Sequence, residues 1–284
     1  MIKIPRQLRQ QIGFALLSLV TIVVVLPILW VIGYIVVQGG GAISWEFIVA
    51  MPRDGMRAGG VWPAIVGTLL LTLGTAIFAV PIGVAVAIYL AEYAQDSLFT
   101  RIIRLAIINL AGVPSVVYGL FGLGLFVIFL QFGTSILAGS LTLAIMTLPV
   151  IISTAEEALR AVPQSFRIVS YSLGGTRWQT IRRVVLPEAL PGVLTGVILG
   201  LERAAGETAP ILFTVAAFFL PRLPHTIFDQ TMTLPYHLFV ISTQVPGMPI
   251  QIQYGTALVL LVFVLSMNVL AAVIRSRFRA KRQW

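Results

Sequence analysis

The sequence has 284 residues, of which 58% are hydrophobic and only 10% are charged, and it contains no cysteine. Soluble domains carry roughly 25% charged residues, so this composition cannot cover the surface of a water-soluble globule of this length. The lack of cysteine excludes disulfides, thiolate catalysis and cysteine metal sites. In such an apolar chain, the formal net charge of +9 first raises the question of which side of a membrane holds the basic residues.

Long apolar runs predict six membrane-spanning helices. A helix needs roughly 20 apolar residues to cross a bilayer core of about 30 Å. The run 105–155 carries no charge, and a single helix of that length would be on the order of 77 Å long. This run therefore predicts a hairpin of two helices that turns at the polar patch 131–135. The other spans are predicted at 12–37, 61–91, 191–219 and 254–274.

The basic residues predict the orientation of these spans. Fifteen of the 19 Lys and Arg residues lie before the first span, between the second and third, between the fourth and fifth, or after the sixth. The positive-inside rule places this side, and with it both termini, in the cytoplasm. The net charge therefore reflects membrane topology, and we expect no binding of nucleic acid.

The outer segment 220–253 is longer than a simple turn. It contains five prolines and the aromatic, apolar stretch 234–239, so we expect short helices and turns along the membrane surface. We favour a packing cap over the helix bundle, and the alternative is direct contact with a ligand.

The cytoplasmic segment 156–190 predicts an ordered loop of short helices. Pro163 should stop a continuation of the fourth helix, and a second helix should end at Gly174 and Gly175, where a left-handed cap is favoured. Thr176 is a suitable N-cap for a third helix over 177–186. Such a unit can dock into a groove of a separate protein, and the alternative is a solvated helical loop.

The spacing of four residues in this loop resembles a known signature. Gly174 is followed after nine residues by Val184, and after one more residue by Leu186 and Pro187. This resembles the cytoplasmic motif of ABC importer permeases, which reads Glu-Ala-Ala, three residues, Gly, nine residues, Ile, one residue, Leu-Pro. The positions of the motif's Glu-Ala-Ala are 168–170, which read Ile-Val-Ser here, so the acidic residue is absent.

The resemblance implies that the loop couples the chain to a separate ATPase, because in that family it forms the helices that seat in the ATPase subunit. The residues to which it assigns this role are Gly174, Gly175, Leu186 and Pro187. Polar contacts in place of the missing glutamate are expected from Arg167, Glu157 or the pair Arg182 and Arg183.

Three charged residues, Glu202, Arg203 and Glu207, lie in the fifth span. A charge at mid-membrane costs at least about 2.5–3.5 kcal/mol on insertion scales, so each requires a partner or a function. With a helix that starts near Pro191, Arg203 would lie about 18 Å along it, slightly past the middle of the core.

Helical geometry predicts which face these charges share. A stripe of small residues at four-residue spacing, which allows close approach of another helix, consists of Gly192, Gly196, Gly200 and Ala204. Glu207 falls within the angular range of this stripe and Arg203 at its edge, so the two can form an ion pair, whereas Glu202 points to roughly the opposite side.

The chemistry of this region suits an anionic substrate. Pro210 should leave the Gly206 carbonyl without its helical hydrogen bond. The forked donors of Arg203 match a tetrahedral oxyanion, and Glu207 could hold the arginine until the anion competes for it. The alternative is an ion pair that only pins the fifth helix to a neighbour. The proposed substrate pathway consists of Arg203, Glu207 and, less directly, Glu202.

Longer stretches resemble the PstA-type permease of the phosphate ABC importer. They are GGVWPAIVGTLLLT at 59–72, NLAGVPSVVYGLFGL at 109–123, LPEALPG at 186–192 and GETAPILFT at 206–214. This resemblance implies an all-α membrane protein with the type I ABC importer permease fold. It divides the chain into a first helix with its outer loop (1–60), a permease core (61–275) and a basic tail (276–284).

The resemblance also implies the partners and the location. They are a second, PstC-type permease, two copies of a PstB-type ATPase and an extracytoplasmic phosphate-binding protein, assembled in the bacterial cytoplasmic (inner) membrane. The sequence has no GxxxxGK[ST] motif, so the chain is not expected to hydrolyse ATP or to hold a cofactor. ATP and Mg²⁺ would be bound by the partner ATPase.

Three alternatives have different sequence requirements. Within the same family, the substrate could be another oxyanion such as sulfate or molybdate. An ion-driven secondary transporter would not need a structured docking loop and usually shows paired broken helices in two halves. An intramembrane enzyme would need convergent catalytic groups, and neither His225 with Asp229 nor His237 supplies them.

Overall fold

The computed structural model describes residues 6–280. Lys3, Lys281 and Arg282, which contribute to the predicted orientation, lie outside the described residues. The long helices are α1 (Arg6–Gly39), α3 (Trp62–Ile88), α6 (Ile136–Arg160), α9 (Leu186–Gly206) and α12 (Ile250–Ala280). The shorter helices are α2 (Trp45–Val49), α4 (Leu98–Ala111), α5 (Ser115–Gly122), α7 (Gln164–Ser172), α8 (Arg177–Thr180), α10 (Ala209–Thr214) and α11 (Leu234–Thr243).

Several of these helices continue into tighter or wider turns. Wider π-helical turns follow α3 at Tyr89–Tyr93, α5 at Leu123–Phe129 and α8 at Ile181–Val185. Single turns of 3-10 helix lie at Gly40–Ala42 and Asp54–Met56. A small antiparallel hairpin of β1 (Pro52–Arg53) and β2 (Ala58–Gly59) lies in the first outer loop.

Five helical segments of the described chain are long and apolar enough to cross a membrane. They are Gln10–Ala42, Trp62–Tyr93, Ile136–Arg160, Arg177–Gly206 and Ile250–Arg277. A sixth span is present if α4 and the segment Ser115–Phe129 are counted as one broken crossing. The chain is therefore an all-α, multi-pass membrane protein, as predicted.

The third span differs from the prediction of an unbroken helix after residue 105. The helix axes of α4 and the following segment make an angle of 101°. Pro114 lacks an amide hydrogen and restricts the residue before it, so the helix ends at Ala111. The Tyr118 hydroxyl donates to the Leu110 carbonyl at 2.7 Å and so bridges the bend. The predicted turn at 131–135 is confirmed, and Ser135 caps α6 there.

The fifth span differs from the predicted range 191–219 at both ends. Helix α8, its π turn and α9 form one continuous segment from Arg177 to Gly206. Glu207 is extended, with φ −74° and ψ 142°, so the helix stops at Gly206. Pro210 stands in the first turn of α10, where the lack of an amide hydrogen costs nothing. The prediction of one helix over 191–219 is therefore wrong, because α9 ends at Gly206 and a separate helix begins at Ala209.

The centre of the bundle consists of α6 packed between α3 and α9. Two-thirds of the α6 span is buried, whereas α1 is fully exposed apart from its contact with α12 and the turn that follows it. Helix α11 buries Leu234, Tyr236 and Val240 in the main apolar core beside Ile211 and Val215. The outer segment is therefore a packing cap over the bundle, as we favoured.

Candidate functional site

The break between α9 and α10 places Arg203 and Glu207 side by side. Arg203 lies in the last turn of α9, and its Nε donates to Glu207 Oε1 at 3.4 Å. The terminal nitrogens of this guanidinium donate no hydrogen bond to any residue that the structure describes. The side chains are 36% and 17% exposed, respectively. The predicted ion pair is confirmed, and it lies at the C-terminal end of α9.

The short helix α10 is held against α5 by a glycine. A Cβ atom on Gly119 would lie 2.9 Å from the Cα of Pro210, so only glycine allows this approach. Tyr118, next to it in the sequence, is buried in the same apolar core as Ala204, the neighbour of Arg203 in the chain. The bend of the third span and the break of the fifth therefore meet beside the Arg203–Glu207 pair.

The small-residue stripe of α9 packs on α6. A Cβ atom on Gly192 would meet Ala158 at 2.5 Å, one on Gly196 would meet Thr154 at 2.7 Å, and one on Gly200 would meet Ile151 at 2.9 Å. This contact confirms the predicted close approach and fixes the rotation of α9. Glu207 lies beyond the helix end, so its predicted angular position on the stripe does not apply.

Glu202 faces a different part of the protein. It lines a groove of about 350 Å³ between α9 and α12, together with Leu199, Asn268 and Arg275. Its Oε1 atom is buried and has no hydrogen-bond partner in the described part of the chain. The predicted separation of Glu202 from the Arg203–Glu207 face agrees with this position.

The cytoplasmic loop has the predicted order. Helix α7 ends before Gly174, which adopts the left-handed conformation with φ +79°. The Thr176 side chain accepts from the Gln179 amide, and the Gln179 side chain accepts from the Thr176 amide, so both caps are satisfied. A Cβ atom on Gly175 would lie 2.8 Å from the Ser170 carbonyl oxygen, which explains the second glycine.

The solvent-exposed face of this cytoplasmic loop, which we call its outer surface, is apolar. Large side chains are exposed there, up to 84% for Leu173, and they are Ile168, Val169, Tyr171, Leu173 and Trp178. A groove of about 570 Å³ lies beside them and is lined by Phe166, Ser170, Gly174, Gln179 and Arg183. The position of the absent motif glutamate, Ile168, is therefore part of an apolar surface.

Arg167 lies on the inner side of the loop. It is only 8% exposed, and its Nη2 donates to Glu92 Oε1 at 2.6 Å. Because it is buried, it cannot itself contact a protein on the outer surface of the loop. Glu157 lines a cavity between α4 and α6, and Leu186 packs against the buried cluster around Val185 and Ala189. Pro187 stands in the first turn of α9.

Residues 79–280 match the family of binding-protein-dependent transport system inner membrane components. The match includes the cytoplasmic loop, the Arg203–Glu207 pair and the bent third span. The chain belongs to this family.

The sequence similarity to individual relatives extends beyond residues 79–280. The chain is 34% identical over 259 residues to the phosphate transport system permease protein PstA 1 of Mycobacterium tuberculosis, covering 89% of this chain and 84% of that protein. It is 34% identical over 281 residues to the protein PstA of Mycobacterium leprae, covering 96% and 91%. The resemblance to the PstA-type permeases is therefore confirmed over most of the chain.

Solved structures show the same fold at low sequence identity. The chain of a bacterial alginate ABC transporter, solved in complex with an alginate-bound periplasmic protein, is similar with a TM-score of 0.66 at 16% identity. The similarity covers 94% of this chain and 96% of that one. The type I ABC importer permease fold is therefore confirmed.

Sequence reasoning missed several residues at these two sites. Tyr118 and Gly119 lie within a stretch used only for the resemblance, and their contacts depend on the 101° bend. Glu92 was missed as the partner of Arg167, although an acid at the end of a span near a basic loop is a usable signal. Asp229, already named beside His225, lies in neither site: it accepts the amides of His225 and Thr226, which with the side chain of Thr226 hold the pKa of its carboxyl below its usual range.

Proposed function

We propose that this chain is the permease subunit of an ATP-driven importer of inorganic phosphate. The observation that carries the proposal is the Arg203–Glu207 pair at the broken end of α9 in a family member that resembles the PstA proteins. The guanidinium uses Nε within the chain, its terminal nitrogens donate to no described residue, and the side chain is 36% exposed. This leaves a fork of donors for an arriving oxyanion.

The neighbouring carboxylate supports phosphate over a fully ionised oxyanion. Phosphate at neutral pH carries at least one O–H group, which can donate to Glu207 while its other oxygens accept from Arg203. Sulfate carries no such proton, so its oxygens would face the carboxylate without a hydrogen bond. The 3.4 Å contact between Arg203 and Glu207 is long for a charged hydrogen bond, and an anion can therefore compete for the arginine. Glu202 faces the groove beside α12, so we place the pathway on Arg203 and Glu207.

The cytoplasmic loop is evidence that a separate ATPase subunit drives transport. Its exposed apolar surface and the adjoining groove form a docking site for the ATPase subunit, which binds ATP and Mg²⁺. The open side of Arg203 is completed by a second permease, and an extracytoplasmic phosphate-binding protein delivers the substrate at the outer face. In this proposal the complex lies in the inner membrane.

Uptake of radiolabelled phosphate tests this function. Cells that lack other phosphate importers should accumulate phosphate only when they express this chain with its partners, and a tenfold excess of unlabelled sulfate or molybdate should not compete. Accumulation of labelled sulfate or molybdate, with no accumulation of phosphate, would assign the chain to another oxyanion.

A further inference from the structure

The π-helical turn at the end of α3 collects side chains from four other helices. Residues Tyr89–Tyr93 form this turn on the cytoplasmic side. Four arginines bond to it, and each comes from a different helix: Arg104 of α4, Arg160 of α6, Arg167 of α7 and Arg177 of α8. We call the segment Tyr89–Tyr93 the α3 hub.

The contact between Arg167 and the hub is a buried, two-pronged ion pair. Arg167 Nε donates to Glu92 Oε1 at 3.2 Å, and its Nη2 donates to the same oxygen at 2.6 Å. Arg167 Nη1 also donates to the Val162 carbonyl at 2.8 Å, and Nη2 donates to the Leu159 carbonyl at 3.0 Å. The side chains of Arg167 and Glu92 are 9% and 6% exposed, so the pair is shielded from water.

A second contact ties α8 to the same segment. Arg177 Nη2 donates to the carbonyl of Glu92, and its guanidinium carbon lies 4.8 Å from the centre of the Tyr93 ring. Cation–π geometry of this kind is favourable within about 6 Å. The two helices of the coupling loop therefore both bond to Glu92.

The other side of the hub is bonded to the transmembrane core. The Leu90 carbonyl accepts from Arg104 at 3.1 Å and from Arg160 at 3.3 Å. Both arginines also donate to Glu156 of α6, at 3.0 and 2.9 Å. A displacement of the hub therefore acts directly on α4, the helix that leads into the bend beside Tyr118.

We infer that Glu92 and Arg167 are positioning residues that transmit movement of the coupling loop to the transmembrane helices. This inference rests on the proposed function. Helix α7 exposes Ile168 and Val169 on its outer surface while Arg167 on its inner side grips Glu92. An ATPase subunit that displaces the exposed face of α7 therefore also displaces α3 and α4 through the Glu92–Arg167 pair.

The test uses the complete complex in proteoliposomes. We measure the ratio of phosphate transported to ATP hydrolysed for the wild type, Glu92→Gln, Arg167→Gln and the double variant. We expect the single variants to assemble and hydrolyse ATP while the ratio falls about tenfold. The double variant should be no worse than either single one, because both changes remove the same link.

Asp96→Asn is the matched control. Asp96 lies four residues after Glu92, and its pair with Arg101 is exposed and 3.8 Å long. Its replacement should leave the ratio unchanged. A normal ratio in Glu92→Gln, additive losses in the double variant, or loss of assembly in Glu92→Gln would each overturn the inference, the last because the pair would then serve folding alone.

A cross-link provides a second measurement in a chain that has no cysteine. Glu92→Cys with Arg167→Cys should be uncoupled until a short bifunctional thiol reagent joins the two positions, and then the ratio should recover. No recovery in a fully cross-linked complex would overturn the inference. If the wild-type complex transports another oxyanion, the proposed function fails, and the same comparison with that oxyanion still decides the role of the pair.

Discussion

Arg203 and Glu207 form an ion pair across the end of a membrane-spanning helix, with 3.4 Å between Nε and Oε1. They are four residues apart, but the chain between them leaves the helix at Gly206. The pair therefore joins the last turn of α9 to the first residue after the helix. The Arg203 side chain at this break is 36% exposed, which is the basis for its proposed contact with an anion.

Replacement of Arg203 should strongly reduce transport without loss of the complex. Arg203→Gln removes the positive charge and the paired N–H donors of the guanidinium, so phosphate uptake should fall by roughly tenfold or more. Arg203→Lys retains the charge but not the fork, and we expect a partial loss. Uptake of labelled phosphate at equal amounts of assembled complex measures both effects.

Glu202→Gln is the neighbouring control for this change. Glu202 lines the groove beside α12, so its neutral variant should retain most of the uptake. Equal losses in Glu202→Gln and Arg203→Gln would return Glu202 to the pathway and contradict the separation of the two faces.

Gly119→Ala should impair transport through a purely steric effect. The added methyl group would lie 2.9 Å from Pro210, so α5 and α10 must move apart beside Arg203. We expect lower uptake with an unchanged amount of complex in the membrane. Gly124→Ala, in the π turn after α5, meets no atom within 4 Å and should behave as the wild type. Normal uptake in Gly119→Ala would show that this contact does not shape the site.

The stripe of α9 predicts a stability effect. Gly196→Val places a branched side chain against Thr154, where even a Cβ atom would approach to 2.7 Å, and should cost about 1–3 kcal/mol. Thermal unfolding of the detergent-purified protein measures the loss. Gly33→Val in α1 meets nothing within 4 Å and tests the helix propensity alone. A similar loss in both variants would show that the stripe is not a tight contact.

The outer cap should lose stability in acid because of His237. Burial lowers the pKa of this histidine from 6.5 to about 4. Between these values the unfolded chain takes up a proton and the folded chain does not, so stability should fall as the pH drops from about 6.5 towards 4. The loss amounts to about 3 kcal/mol over this window.

His237→Phe should flatten this pH dependence, measured as the unfolding temperature at pH 7 and pH 5. The other histidine, His225, is exposed, so His225→Gln should keep the wild-type slope. An unchanged slope in His237→Phe would place the acid sensitivity elsewhere in the protein.

Much of this protein follows from apolar runs and breaker residues. The scarcity of charged residues predicts insertion into a membrane. Gly174 and Thr176 predict where the helices of the cytoplasmic loop end and begin, and the small-residue stripe that includes Gly196 predicts the close packing of α9 on α6. These features depend on local conformation or on helical periodicity, and both can be derived from a single sequence.

The features that sequence reasoning missed depend on three-dimensional context. A run of apolar residues has the same composition whether or not it bends, so the 101° turn at Pro114 was not predicted. The break after Gly206 was predicted only as a loosened helix, because Pro210 is compatible with both a kink and a new start. The link from Arg167 to Glu92 joins residues that are 75 positions apart, and no local pattern connects them.

The most direct test of the central claim is ATPase stimulation in proteoliposomes that contain the complete complex. Phosphate-loaded binding protein should stimulate ATP hydrolysis, and phosphate should accumulate on the side that holds the ATPase. The same binding protein without phosphate, or with sulfate alone, should not stimulate. Equal stimulation by sulfate, or stimulation without movement of phosphate, would contradict the assignment of this chain as a phosphate permease.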